Sequence, residues 1–213
     1  MKPIIHGFPQ SSYVWTVRAA FAFKGVDYEL RPLPPQALNS EDYLQFHPFA
    51  KVPALEHGDV RLYESLAICQ YVDRAFGGRP LQPTNPHLLA TMFQWISAIT
   101  SYLYMPAVRG YLFGYIFPGT EDGAPDRERI DAALPKLERF IAILEENLDQ
   151  EHLVSDQLTM ADLFLAPLLF VIARGPEGEE LIRSSPNVVA YFGRMKANAA
   201  FISAAPPPPG GRA

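Results

Sequence analysis

The proline inside the apolar run Val52-Pro53-Ala54-Leu55 restricts this chain more than any other residue in it. Proline cannot donate to a strand ladder, so it belongs at a strand's start, at an edge or at a bulge. His57-Gly58-Asp59 then reads as a tight turn and Val60-Arg61-Leu62-Tyr63 as a second short strand. Glu64-Ser65 follows, and Leu66, Cys69, Val72 and Ala75 recur at helical spacing. The stretch is strand, turn, strand, helix, with polar residues at the strand-to-helix corner. At the head of a strand Pro53 can carry a cis bond, which would turn the backbone groups of Val52 outward to pair with an extended peptide. Glu64 and Ser65 stand at a helix N-terminus, where backbone N–H groups favour a carboxylate, and Lys51 adds a cation nearby. A small, multiply charged peptide suits these features. The plainer alternative is an ordinary strand-start proline, with Ser65 as a simple N-cap.

Upstream, Ile4-Ile5-His6-Gly7 reads as a first strand and Pro9 to Ser12 as a loop. Val14, Val17, Ala20, Phe21 and Lys24 run at helical spacing up to Gly25, a C-cap. Tyr28 to Leu33 is a second strand, and strand, helix, strand is the crossover that a parallel pair requires. A short helix lies between Asn39 and Phe46, with Ser40 as its cap. These elements make a βαβ-α-ββα unit over residues 1–78, followed by a Gly/Pro-rich linker over 79–86.

Beyond the linker the strand signal vanishes, which predicts an all-helical domain over 87–204. His87 to Phe117 is apolar and aromatic and holds no Asp or Glu, so little of it reads as a solvated face, and Pro106 and Gly110 are candidate kinks. Asp126 to Leu148 is amphipathic, and Asn187 to Lys196 is another helix. Thr159 and Asp162 have the spacing of a capping box, flanked by Leu158 and Leu163 as a hydrophobic staple. Asp162 is therefore a folding residue, worth about 1 kcal/mol as a cap. Residues 205–213 are a Pro/Gly tail, expected to be disordered.

Composition excludes several classes. A net charge of −5 argues against nucleic acid as the main partner. The single cysteine, Cys69, allows no internal disulfide and falls on an apolar helix face, as an inert thiol does. No apolar run reaches membrane-span length, and the first residues have no signal-peptide pattern, so a cytoplasmic protein without a membrane partner is expected. No metal site is expected.

The residues Lys51-Val52-Pro53-Ala54-Leu55, Glu64-Ser65 and Ala67-Ile68 resemble the glutathione-binding half of the cytosolic glutathione transferases. The resemblance covers nearly the whole chain. It implies a thioredoxin-like α/β N-terminal domain, an all-α C-terminal domain and glutathione as co-substrate. Ser11-Ser12-Tyr13-Val14-Trp15-Thr16-Val17-Arg18 is similar to the serine-type motif of the zeta class and of bacterial members. It departs from zeta at Tyr13 and Thr16, where that motif has cysteine and arginine. The motif implies that Ser11 assists the glutathione thiol, with Ser12 as a neighbouring donor and Tyr13 as the alternative one. A free thiol has a pKa of about 8.5, so a hydroxyl donor at a helix N-terminus serves the purpose by stabilising the thiolate. The same resemblance implies that Lys51 meets the glycyl carboxylate and that Val52 pairs through its backbone, with Pro53 cis. Glu64 would hold the γ-glutamyl ammonium and Ser65 its carboxylate. His47 and Ala50 stand where asparagine and glycine are commoner.

The family's second substrate borders the long helix, which makes Tyr102, Met105, Arg109 and Phe113 candidates for its pocket. Arg109 is either a structural ion pair or a partner for an anionic substrate. Three activities fit: conjugation of glutathione to an electrophile, a zeta-like cis–trans isomerisation, or a non-catalytic binding module. The resemblance also implies a homodimer. Many members receive an acidic side chain from the partner's long helix, but this helix has no acid before Glu121, so Glu64 is expected to hold the ammonium alone.

Overall fold

The computed structural model describes residues 1–117 and 123–207. It divides into two compact units: Met1–Leu81 together with the chain from Asn198, and Gln82–Ala197. The proline-rich tail falls, from residue 208 on, outside the described residues, as does part of the loop expected between Pro118 and Pro125.

The first unit is built on a four-stranded mixed sheet of order β2-β1-β3-β4. β1 (Ile4–Gly7) pairs in parallel with β2 (Glu29–Pro32), and α1 (Ser12–Lys24) makes the crossover between them. β1 also pairs antiparallel with β3 (Ala54–His57), which turns through Gly58 into β4 (Val60–Tyr63). Gly25 ends α1 with φ 64°, the left-handed value that favours glycine. The short helix after β2 is split: a 3-10 turn at Pro35–Asn39, then α2 (Glu41–Leu44) capped by the Ser40 hydroxyl. α3 (Ser65–Ala75) packs with α1, and Ile5, Val17, Phe21, Leu55, Ile68 and Val72 are fully buried. Burying such side chains stabilises the unit by about 1.5–3 kcal/mol each.

The second unit is helical. α4 (Pro86–Ala98) begins with proline at its first position and Asn85 as a cap that accepts from His87 and Leu88. It runs on through π-helical turns at Ile99–Leu103 and Met105–Leu112 into α5 (Phe113–Ile116) with no break in helical backbone angles at the junctions. Pro106, a candidate kink, falls inside the π-wound stretch: proline has no N–H for an α-helical bond, and a wider turn accommodates its ring. Gly110 serves a different end. A Cβ there would stand 2.8 Å from Ala133, and one at Gly114 would stand 2.5 Å from Ile130, so the two glycines let α6 (Arg127–Asn147) approach closely.

α7 (Met160–Ile172) is buried almost throughout and starts with the expected Thr159–Asp162 capping box. α8 (Pro176–Arg183) and α9 (Pro186–Ala197) follow, and the Glu145 carboxylate accepts from Asn187 and Val188 at the start of α9. α10 (Ala199–Ser203) returns to the sheet unit, where the Trp15 indole donates to the Phe201 carbonyl at 3.2 Å and the two rings stack at 4.7 Å. Among the described residues no helix is long and apolar enough to cross a membrane.

Candidate active site

The strand register places the candidate residues of the first unit at one end of the sheet. His6 stands opposite Ala54, and Ala54 stands opposite Tyr63. The corner after β1, the entry to β3 and the exit of β4 therefore share an edge. Ser11 follows the first, Val52-Pro53 precede the second and Glu64-Ser65 follow the third.

At the first corner, Ser11 is the N-cap of α1 and its Oγ accepts from the Val14 N–H at 3.4 Å. That bond uses a lone pair and leaves the hydroxyl proton to be donated elsewhere. No acid stands in the first turn of α1, so the positive end of the helix dipole is not neutralised there. Ser12, expected in the loop, is the first residue of the helix, and Tyr13 is half-buried beside it. Gly7 permits this geometry, since a Cβ on it would meet the Val14 side chain at 2.5 Å.

At the second corner the Val52–Pro53 bond is cis, and the register of β3 begins only at Ala54, so Val52 lies outside the ladder. Lys51 is exposed. Its carbonyl accepts from the Tyr43 hydroxyl at 2.5 Å. Tyr43 is buried, which pushes its phenol up to about 12 and keeps it a donor. Ala50 has φ 52°, the left-handed region, where a Cβ costs about 1–2 kcal/mol. The substitution of alanine for the commoner glycine therefore matters to the backbone more than the sequence alone indicates.

At the third corner Glu64 is itself the N-cap of α3, with φ 68° and ψ 118°, and Ser65 is the first helical residue. The simple N-cap alternative for Ser65 is overturned: no side chain bonds the first amides of α3, and its first turn holds no acid. The positive backbone angle at a non-glycine residue is costly, of order 1–3 kcal/mol, and such strain persists where the surroundings hold it, as at ligand clamps. Ser65 is buried and Glu64 exposed. His47, also buried, lies with its ring 5.1 Å from that of Tyr63. Burial lowers its pKa, opposed by nearby Glu64 and reinforced by Lys51. Tyr43 and His47 stand at the same corner; the motif reading did not name Tyr43 and noted His47 only as a departure from the commoner asparagine.

In the helical unit, Tyr102, Met105 and Arg109 are exposed and Phe113 is half-buried. Neighbouring Tyr111 is different. Its ring is buried, and its hydroxyl donates to the Glu177 carboxylate at 3.1 Å and accepts from the Gly178 N–H at 2.8 Å, so it holds α8 in place. Among the described residues no group of His, Cys, Asp and Glu side chains is placed to hold a metal.

Residues 5–80 match the family model of the glutathione S-transferase N-terminal domain, and residues 95–198 match that of the C-terminal domain. The chain belongs to the glutathione S-transferase family. A glutathione S-transferase of Hyoscyamus muticus is 30% identical over 205 residues, covering 94% of this chain and 96% of that protein. The structure of glutathione S-transferase III in its apo form superposes with a TM-score of 0.85 at 28% identity, covering 98% of this chain and all of that one (100%). Glutathione S-transferase-I bound with lactoylglutathione superposes with a TM-score of 0.85 at 26% identity, over 96% and 99% of the two chains. These matches bear out the thioredoxin-like plus all-α fold and glutathione as co-substrate, and they favour transfer over isomerisation or a non-catalytic module.

Proposed function

We propose that this glutathione transferase binds glutathione along the sheet end described above and activates its thiol through Ser11. The convergence of two uncapped or part-capped helix N-termini with the free edge at Val52 supports this reading. An extended tripeptide laid past Val52-Pro53 would pair with the main chain of Val52 and put its thiol at the start of α1. Lys51 meets the glycyl carboxylate. Ser65 and the first amides of α3 receive the γ-glutamyl carboxylate, and Glu64 receives the ammonium. Ser11 donates to the sulfur, Ser12 adds a second hydroxyl, and Tyr13 is the alternative donor.

Lowering the thiol pKa by one to two units takes about 1.4–2.7 kcal/mol of preferential thiolate stabilisation. One charge-assisted hydrogen bond and a helix terminus are of that size. The thiolate then attacks an electrophilic carbon of a small second substrate, for which Tyr102, Met105, Arg109 and Phe113 supply the contacts. A cytoplasmic homodimer fits the apolar side chains left exposed on the sheet unit, Phe49 and Tyr63.

Ultraviolet titration of the bound thiolate tests the assignment of Ser11. Ser11→Ala should raise the pKa of bound glutathione by at least one unit, while Tyr13→Phe leaves it near the wild-type value. A shift confined to Tyr13→Phe would transfer the role to the phenol.

A further inference from the structure

Arg109 is the single Lys or Arg between His87 and Phe117, a stretch with no carboxylate of its own. Among the described residues no acid stands within ion-pair distance of it. Aromatic groups flank it. The guanidinium lies over the Phe113 ring, 4.9 Å from its centroid, and stands beside the Tyr104 side chain.

The π-helical winding makes this arrangement possible. In an α-helix residues five apart point to different faces. In a π-turn the i to i+5 hydrogen bond brings them one above the other. Tyr104 precedes Arg109 by five residues, and Met105–Leu112 is π-wound, with Pro106 inside it. Phe113, four residues after Arg109, lies on its other side. A guanidinium fixed on a ring has fewer conformations to lose on meeting a ligand, and it presents its N–H donors in a planar fork. Tyr102 and Met105 add exposed apolar surface beside it, 71% and 57% exposed.

We infer that Arg109 selects a carboxylate-bearing electrophile as the second substrate, with the apolar body of that substrate on Tyr102, Met105 and Phe113. The inference rests on the proposed role of this helix in second-substrate binding. It narrows that role to an anionic class: a planar organic acid in which the acid and the electrophilic carbon belong to one molecule. The guanidinium takes no part in the chemical step; it orients the acid.

The test uses two unreactive ligands, a dinitrobenzoate and the corresponding dinitrobenzamide, which differ in charge and hardly in shape. Their Kd values are measured by calorimetry on the wild type, Arg109→Met and Arg109→Lys. The wild type should prefer the carboxylate about 10-fold, in line with an exposed charge-assisted bond. Arg109→Met should remove that preference and Arg109→Lys should keep only part of it, since lysine supplies charge without the planar fork. Equal Kd values for the two ligands on the wild type, or a preference that survives Arg109→Met, would overturn the inference. Turnover of glutathione with a neutral chlorodinitrobenzene, measured alongside, reports separately on the proposed conjugation. Its absence would sink that reading and leave the binding comparison standing on its own.

Discussion

Lys24 should be among the costliest single residues to remove from the sheet unit. Its ammonium has three hydrogens, and three acceptors take them: Asp73 Oδ1 at 3.0 Å, the Asp73 carbonyl at 3.1 Å and the Arg79 carbonyl at 3.2 Å. The same Asp73 oxygen accepts from the Leu81 N–H at 2.8 Å. Both side chains are nearly inaccessible, at 3% and 4% of their possible exposure. One buried ion pair therefore ties α1 to α3 and to the chain leaving the unit. Gly78 marks how close that chain runs, since a Cβ there would stand 2.9 Å from the Lys24 carbonyl.

Lys24→Met preserves most of the volume but takes the cation from a buried carboxylate and an ammonium donor from two carbonyls. Breaking a buried pair in this way costs about 3–5 kcal/mol. Replacing both partners, as Lys24→Met with Asp73→Leu, removes the orphaned charge. The double variant should then lose less than the sum of the single ones, by about 2–3 kcal/mol. Urea unfolding at one fixed protein concentration measures all four proteins. Proteolysis between residues 77 and 82 gives a local reading, which Lys24→Met should accelerate. A loss below about 1 kcal/mol for Lys24→Met, or strict additivity in the double variant, would refute the clamp.

Three further outcomes follow from the structure. Asp162 is fully buried and accepts from Leu153 N–H at 3.0 Å, Thr159 N–H at 2.7 Å and the Thr159 hydroxyl at 3.1 Å, so Asp162→Ala should cost about 3–5 kcal/mol in urea unfolding, well above Thr159→Ala at about 1–2. Neither change should alter the glutathione affinity of the protein that remains folded. Glu177 accepts from Tyr115 and Arg127, which, with Tyr111, outweigh partial burial and hold its pKa down to about 2. A depressed carboxylate adds stability above its unfolded pKa of about 4.3 and loses it as pH falls toward 2, so Glu177→Gln should flatten the wild-type acid limb of stability between those values. If the protein is the proposed homodimer, light scattering at micromolar concentration will give twice 23.8 kDa, and Phe49→Ser, at a side chain 66% exposed, will shift it toward the monomer; a wild-type mass near the monomer's refutes the proposal.

The asymmetry between Asp162 and Thr159 shows where a sequence pattern stops being informative. The Thr-x-x-Asp spacing was legible as a capping box, because a cap is a local device read over four residues. The sequence reading valued the aspartate as a cap alone, at about 1 kcal/mol. Its third bond comes from Leu153, nine residues earlier, and no local periodicity reports that contact. Lys24 is the same case over a longer range: its place at helical spacing with Val14, Val17, Ala20 and Phe21 was legible, but its partner Asp73 lies in another helix. Strands, caps and the Gly25 terminus were legible for the opposite reason, since alternation, hydroxyl caps and left-handed glycine are fixed by neighbours in the chain.

The site was legible as residue types and illegible as backbone. Glu64 and Ser65 were placed at the corner of β4 and α3, but the positive φ of Glu64 has no sequence signal, because L side chains other than Asn and Asp rarely announce that region. That angle decides which residue caps. With Glu64 at the cap and unable to bond back, the first amides of α3 stay open at the sheet end that already carries Ser11 and Val52. A serine cap at the same corner would have closed them. The π-winding near Arg109 repeats the lesson on the other unit. Pro106 signalled a disturbed helix, and the disturbance takes the form of wider turns, which re-aim the side chains. That winding puts Tyr104 beside Arg109, whose guanidinium also lies over the Phe113 ring.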